Sequence, residues 1–246
     1  MKYCIISDIH SNLHALESIL NDAKTFMPEK YICLGDCIGY GVFVNETISR
    51  IRNVCDYVIP GNHDWGVIDK INTSNFNPNA IEAVVYSRKV ISPENYEYLG
   101  TLSPTMSFDN FQIAHGSMTN PLTDYITNSI TASINFKYIY KPVCFIGHTH
   151  IPIIFQYNPE TGSVEVFNFS ENKTFRLDIT KYKYIINSGS VGQPRDKNPY
   201  ASYLIFDNSE MKVENRRVAY DIESAKKSII NAGLPHKLGE RLEFGR

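Results

Sequence analysis

Short apolar runs alternate with amphipathic stretches over the first sixty residues. Residues 2–7 form a compact apolar run, and 30–34 and 57–59 repeat it, closing on Gly35 and on Pro60-Gly61. Between the first two, Leu13, Leu16, Ile19, Leu20 and Ala23 recur at the helical period across 12–24, with Ser11 or Asn12 placed to cap. Residues 46–54 also read as a helix. Strand, helix, strand, helix, strand predicts a parallel α/β layer. Residues 72–78 are polar and turn-like, and 80–90 and 94–99 read as helices. From Thr105 the texture changes. Residues 105–114, 143–146, 151–157, 163–169, 174–179, 184–186, 200–206 and 212–219 read as strands separated by turns. A helix over 222–231 follows, with Gly233 as its stop and Pro235 beyond. No repeat, low-complexity segment or linker interrupts the chain. The expectation is a single domain over 1–246 with two sheets, the first largely parallel and the second largely antiparallel.

Composition fits a globular chain able to bury a core: 246 residues, 43% hydrophobic and 20% charged. A formal net charge of −2 argues against a stable nucleic-acid partner and against anionic membranes. Met1-Lys2-Tyr3-Cys4 runs directly into a strand, without the features of a signal peptide, and no apolar stretch is long enough to span a bilayer. Five cysteines, an odd count without a Cys-x-x-Cys pair, read as free thiols in a reducing compartment. A cytoplasmic location is therefore expected. The aromatic-rich antiparallel part and the C-terminal helix offer surface for a homodimer.

The candidate chemistry lies in five clusters: Asp8-Ile9-His10, Gly35-Asp36, Gly61-Asn62-His63-Asp64, His115-Gly116 and Gly147-His148-Thr149-His150. Each follows a run that reads as a buried strand. Asp, His and Asn are hard or borderline ligands for divalent cations. Residues i and i+2 of a strand share a face, so Asp8 and His10 are expected to reach one ion. In a parallel sheet the carboxyl ends of the strands share one edge, which would bring the dispersed clusters together. The glycines read equally as tight turns after strands. His14 reads as a packing or capping residue, His236 as surface, and Cys37 as a buried thiol beside Asp36. Tyr40, in a flexible Gly39-Tyr40-Gly41 loop, faces either substrate or core, and Trp65 either lines a pocket or packs. Other phosphate chemistries lack their signatures. No cysteine precedes an arginine at the phosphatase-loop spacing, Asp8 has no second aspartate two residues on, and there is no Gly-Lys-Ser/Thr. A His63-Asp64 pair of the helical HD hydrolase type is disfavoured because it follows a strand and Gly61-Asn62.

In their order, these motifs make the chain resemble the calcineurin-like metallophosphoesterase superfamily. The similarity is greatest to its small stand-alone prokaryotic-type group of phosphodiesterases and relatives of dinucleoside polyphosphatases. Residues 8–150 carry the core motifs, and a further match runs over 187–203. The resemblance implies a four-layer αββα sandwich of two mixed sheets flanked by helices. It assigns Asp8, His10 and His150 to one divalent metal and Asn62, His115 and His148 to a second, with Asp36 bridging. Mn is the expected metal, with Fe, Zn, Co, Ni or Mg as alternatives. It further implies in-line attack on a small phosphate ester by a hydroxide held between the metals. His63 would serve the leaving group or a phosphoryl oxygen, and Asp64 would orient His63 and raise its pKa. Arg195 matches phosphate oxygens in a bidentate way, its structural alternative being a salt bridge to Asp196 or another acid. The chain has Asn187-Ser188-Gly189 where relatives usually have Asn-Pro-Gly, which should loosen that turn. The substrates implied are nucleotide phosphodiesters or dinucleoside polyphosphates. The rival readings are a phosphoprotein phosphatase and a non-catalytic scaffold of the same fold.

Overall fold

Alternation within single strands sets the layering. The first strand, β1 (Lys2–Ile6), sends Cys4 and Ile6 to one face and Tyr3 and Ile5 to the other, and all four are buried. A strand buried on both sides needs a layer on each side. The computed structural model describes residues 1–169 and 172–246. After β1 come α1 (Leu13–Ala23), β2 (Lys30–Cys33), α2 (Val44–Val54), β3 (Tyr57–Val58), α3 (Asn62–Val67), α4 (Pro78–Val90) and α5 (Pro93–Thr101). The second half holds β4 (Thr105–Ser107), β5 (Phe111–Ala114), α6 (Ser129–Phe136), β6 (Val143–Ile146), β7 (Ile153–Tyr157), β8 (Val164–Asn168) and β9 (Thr174–Arg176). It ends with β10 (Lys183–Asn187), β11 (Ala201–Asp207), β12 (Lys212–Val218), α7 (Ile222–Asn231) and α8 (His236–Phe244).

The described strands form two sheets, ordered β3-β2-β1-β11-β12-β9 and β4-β5-β6-β10-β7-β8. Both are mixed, not one parallel and one antiparallel. β1 pairs parallel with β2 but antiparallel with β11, so the C-terminal strands complete the sheet that the N-terminal strands begin. In the second sheet β6 is parallel to both β5 and β10, with antiparallel pairs outside them. Between the sheets lies an apolar layer that includes Tyr3, Ile5, Phe111, Phe145, Leu204 and Phe206. Within it Phe145 meets Phe111 edge-on at 5.6 Å and Phe206 at a tilt at 5.0 Å. Outside the first sheet, Leu16, Ile19, Leu20, Ile48 and Ile51 of α1 and α2 pack on Cys4, Ile6, Tyr203 and Ile205. Outside the second, Ala132 and Phe136 of α6 pack on Cys144, Ile146, Phe155 and Ile185. The result is an αββα sandwich. No helix among the described residues is long and apolar enough to cross a membrane.

Several local expectations change. Asn12, not Ser11, caps α1, its Oδ1 accepting from the Ala15 N–H at 3.1 Å. Residues 105–114 are not one strand but the β4–β5 hairpin, because Asp109-Asn110 favours a turn, and the Phe108 N–H donates to the Phe111 carbonyl. Three helices were not anticipated: α3, α6 and α8. In α6, Ile130 and Ile134 are exposed, so no apolar stripe marks it, and its start rests on Asn128 accepting from the Ile130 and Thr131 N–H groups. Trp65 packs against the first core and donates Nε1–H to the Leu99 carbonyl at 3.2 Å. His14 packs edge-on against Phe43, and His236 is an exposed residue opening α8.

Candidate metal centre

The clusters converge beyond the ends of β1, β2, β3, β5 and β6. Asp8 and His10 get there differently from the strand-face expectation. Both lie past the end of β1 in left-handed backbone, at φ 54° and 52°, as do Asp36 (51°), His148 (67°) and His150 (61°). A non-glycine residue held there costs about 1–2 kcal/mol, so the surrounding hydrogen bonds must hold these turns in place. They do. The Asp8 N–H donates to the Gly35 carbonyl and the His10 N–H to the Asp36 carbonyl, and Ser190 donates Oγ–H to the Asp8 carbonyl at 2.8 Å. The Asn187-Ser188-Gly189 turn that lacks the relatives' proline is buried, with Asn187 Oδ1 accepting the Gly189 N–H. At Gly147, any side chain would collide with Ser7 Oγ and Asp8, so the approach of this turn to Asp8 needs glycine.

Two donor clusters share one carboxylate. The ligand atoms of Asp8, His10, Asp36 and His150 lie within 4.8 Å of one another, and so do those of Asp36, His115 and His148. Asn62 Oδ1 joins the second cluster, 3.2 Å from His115 Nε2. Asp36 divides its oxygens. Oδ1 accepts the His63 N–H at 2.8 Å, while Oδ2 faces His10 Nε2 at 3.6 Å and His115 Nε2 at 3.4 Å. Asp8 does the same. Oδ2 takes the Ser7 hydroxyl and the His148 N–H, while buried Oδ1 has no hydrogen-bond donor and lies 3.2 Å from His150 Nε2.

The histidine tautomers follow from their outer partners. Nδ1 of His10, His115 and His150 sits 3.2, 2.9 and 2.6 Å from the carbonyls of Ile38, Leu34 and Gln193. A carbonyl only accepts, so each Nδ1 carries a proton, and each Nε2 is the nitrogen that faces the cluster. Burial holds His10 and His150 below the usual imidazole range and His148 down at about 3, which keeps them neutral as ligands must be. Burial opposes the charge at His115 as well, but the carboxylates of Asp36 and Asp8 overcome it and lift it to about 10. Burial prevails at those three and the carboxylate charge at His115, whose extra proton a divalent cation would replace. An undonated Asp8 oxygen and converging bare nitrogens are what a pair of divalent cations requires, and the site fits them.

His63 lies beside the clusters, its ring 5.0 Å from that of His10 and 4.6 Å from that of Tyr40. Asp64 does not orient it. His63 Nδ1 has no partner among the described residues, and burial lowers its pKa to about 4 instead of Asp64 raising it. His63 and Asp64 also sit in the first turn of helix α3, where their side chains diverge. Asp64 instead accepts the backbone N–H groups of Gly61 (2.9 Å), Ile38 (3.1 Å) and Cys37 (3.2 Å). It fastens the turn bearing Asp36 to the one bearing Asn62. Burial and the Asp36 charge push its own pKa up to about 7 against those three donors.

The Gly39-Tyr40-Gly41 segment is buried rather than a flexible loop, with Tyr40 edge-on to His10 at 4.8 Å. Gly39, at φ 97°, has no room for a side chain, since a Cβ there would stand 2.5 Å from His63 Nδ1. Arg195 lies over Tyr40, its guanidinium carbon 5.8 Å from the ring centre. It does not pair with Asp196, which is bound by Arg217. Cys37 is a buried thiol, its sulfur 3.7 Å from that of Cys33.

A cleft of about 500 Å³ opens on the clusters, lined by Tyr40, Asn62, His63, Phe76, Tyr125 and His148 together with Asn72, Asn75 and Asn77. Sequence reading missed most of this wall. Tyr125 lies against His148, with ring centres 3.9 Å apart, and no motif marks it. Arg241 of α8 also reaches Tyr40, and only the spacing of Leu238 and Leu242 hinted at its helix.

Comparison with known proteins agrees with this geometry. Residues 1–211 match the calcineurin-like phosphoesterase superfamily domain. An uncharacterized protein of Methanocaldococcus jannaschii, MJ0912, is 40% identical over 248 residues, covering 98% of this chain and 97% of that protein. The crystal structure of a metallophosphoesterase from Sphaerobacter thermophilus superposes with a TM-score of 0.89 at 35% identity, covering 100% of this chain and 99% of the other. Hypothetical protein PH1004 from Pyrococcus horikoshii OT3 shares the fold, with a TM-score of 0.78 at 18% identity and coverage of 100% and 98%.

Proposed function

This chain belongs to the calcineurin-like phosphoesterase superfamily, and from that premise we propose that it hydrolyses small phosphate esters, nucleotide phosphodiesters or dinucleoside polyphosphates foremost. The observation that carries the reading is Asp36 Oδ2, one oxygen facing both donor clusters, beside a cleft that Asn62 and His148 of the second cluster line. Divalent cations held there, Mn foremost, would polarise the phosphoryl oxygens and activate water. In this reading Asp8, His10, Asp36 and His150 hold one ion, and Asp36, Asn62, His115 and His148 the other.

The remaining residues act on the ester. His63, neutral and on the cleft wall, donates a hydrogen bond to the leaving or phosphoryl oxygen. Asp64 is a positioning residue that fixes the two ligand-bearing turns. Arg195 binds a phosphoryl group. The rings of Phe76 and Tyr125 and the amides of Asn72, Asn75 and Asn77 suit a flat, hydrogen-bonding group such as a nucleobase. Two of those amides already have their oxygens engaged, Asn72 by the Ser74 N–H and Asn77 by the Ala80 N–H, so they offer N–H donors.

The test is chromatographic product analysis with metal-stripped protein, with and without Mn²⁺. Diadenosine tetraphosphate, a bis-aryl phosphodiester and an aryl monoester are run in parallel. Mn²⁺-dependent cleavage of the dinucleotide supports the reading. Cleavage of the aryl esters alone moves the substrate elsewhere, phosphoproteins included. No turnover with any divalent metal defeats it in favour of a scaffold.

A further inference from the structure

Two arginines face one tyrosine ring beside the metal clusters, and neither pairs with an acidic side chain among the described residues. The guanidinium carbons of Arg195 and Arg241 each lie 5.8 Å from the centre of the Tyr40 ring. Among the described residues no Asp or Glu oxygen comes within 4.0 Å of either; Asp196 is bound by Arg217 and Glu243 by Lys226. Arg195 donates to Gln193 Oε1 at 2.9 Å, and its Nε is buried without a partner. Arg241 donates Nε–H to the main-chain oxygen of Arg246, the last residue of the sequence, which offsets part of its charge; its terminal nitrogens are unused by any described residue. Both side chains are half-buried. Each charge acts on the other, and together with burial the Arg195 charge lowers the pKa of Arg241.

Two half-buried guanidinium groups against one ring, with no acidic side chain paired to either, repel each other, and an anion that joins them relieves the repulsion. Contact with the Tyr40 face offsets only a little of that. The tyrosine also locates the pair, because the same ring packs on His10 and His63. Arg195 reaches the centre as well, its backbone N–H donating to the His150 carbonyl at 3.3 Å. The fold builds this arrangement from distant parts of the chain. Arg195 follows the turn that packs on Asp8, while Arg241 is carried by α8, whose Leu238 and Leu242 pack in one cluster with Tyr40. The end of α8 is tied back to the first turn through the Lys197 N–H and the Gly245 carbonyl, 2.9 Å apart.

We propose that Arg195 and Arg241, both facing the ring of Tyr40 beside the metal centre, form a second phosphoryl subsite, so that the substrate carries a diphosphate or longer phosphoryl chain. The inference rests on the hydrolase reading and narrows it. The metals take the phosphoryl group that is attacked, and the arginines take one further along the chain. A substrate with a single phosphorus leaves the pair unfilled, and Arg241 is the specificity-determining residue.

The test is calorimetric, on Mn²⁺-loaded protein in excess Mn²⁺, with orthophosphate, pyrophosphate and a nucleoside 5′-diphosphate as probes. Binding is read directly, so the result stands whether or not any ester is turned over. The expected result is that wild type prefers pyrophosphate to orthophosphate. The preference should shrink about tenfold in Arg241→Gln and less in Arg241→Lys, which keeps the charge but not the fork. Loss of both affinities in equal proportion, or an unchanged preference in both variants, overturns the subsite. Should Arg241→Gln fail to fold, the lysine variant alone decides, by a preference that shrinks or does not. Tighter binding of the nucleoside diphosphate than of pyrophosphate assigns the chain to a nucleotide, and the reverse to an inorganic polyphosphate; either supports the subsite. Arginine-dependent diphosphate binding in a protein that hydrolyses no ester would keep the subsite and remove the hydrolase reading.

Discussion

Replacing Asp64 separates a fastening carboxylate from one that works through His63. The side chain is fully buried and accepts three backbone N–H bonds, from Gly61 and Cys37 on Oδ2 and from Ile38 on Oδ1. Asp64→Ala strands all three donors. At about 1–3 kcal/mol for each buried unsatisfied group, with water relieving part of it in the space left behind, the cost is about 3–6 kcal/mol. Asp64→Asn can keep its oxygen where two donors point, which turns its NH₂ against the Ile38 N–H; the cost falls to about 1–3 kcal/mol. The assay is urea unfolding of metal-free protein in chelator, so that metal binding adds nothing to the stability measured. At a slope of about 3 kcal/mol per molar urea, the alanine midpoint should drop by about 1–2 M and the asparagine midpoint by less than about 1 M. Both variants should also bind Mn²⁺ more weakly, because the turns bearing Asp36 and Asn62 loosen together. An unchanged midpoint in both variants, with turnover lost as deeply as in His63→Ala, would refute the fastening role and return Asp64 to the chemistry.

Three other outcomes are expected. Phe145→Ala, which opens a hole among Phe111, Phe206 and their neighbours between the sheets, should cost about 3–5 kcal/mol in denaturant unfolding. Gly39→Ala combines a positive φ with a Cβ against the His63 ring, so turnover should fall at least tenfold while metal content by elemental analysis stays at the wild-type value. Metal removal should lower the thermal midpoint, since Asp8 and Asp36 are buried carboxylates that gain from a cation; Mn²⁺ at 100 times its dissociation constant restores about 2.7 kcal/mol per site. A midpoint indifferent to chelator would count against metal binding at these clusters.

The sequence by itself determined the element types over the first sixty residues, the αββα class by resemblance, and the residues that meet at the centre. Strands written as apolar runs closing on Gly or Pro are local signals, and polar residues left at the ends of such strands have few places to go but the edge where those strands end. Cys4 and Ile6 against Tyr3 and Ile5 show that even the layering is legible once a strand is known to be buried on both faces. Tertiary structure alone decided how the pieces are joined and what the side chains do. The antiparallel pairing of β11 with β1 makes both sheets mixed, and it links residues about two hundred positions apart that no local pattern relates. Asp8 and His10 reach the centre through left-handed turns held by backbone carbonyls of the neighbouring strand's loop, not through a shared strand face. Asp64 follows His63 in the chain yet serves other backbone groups, because successive side chains in a helix turn point apart. Tyr125 and Arg241 were unreadable for the same reason. Each acts through a contact with a residue distant in sequence, and only the packed fold specifies such contacts.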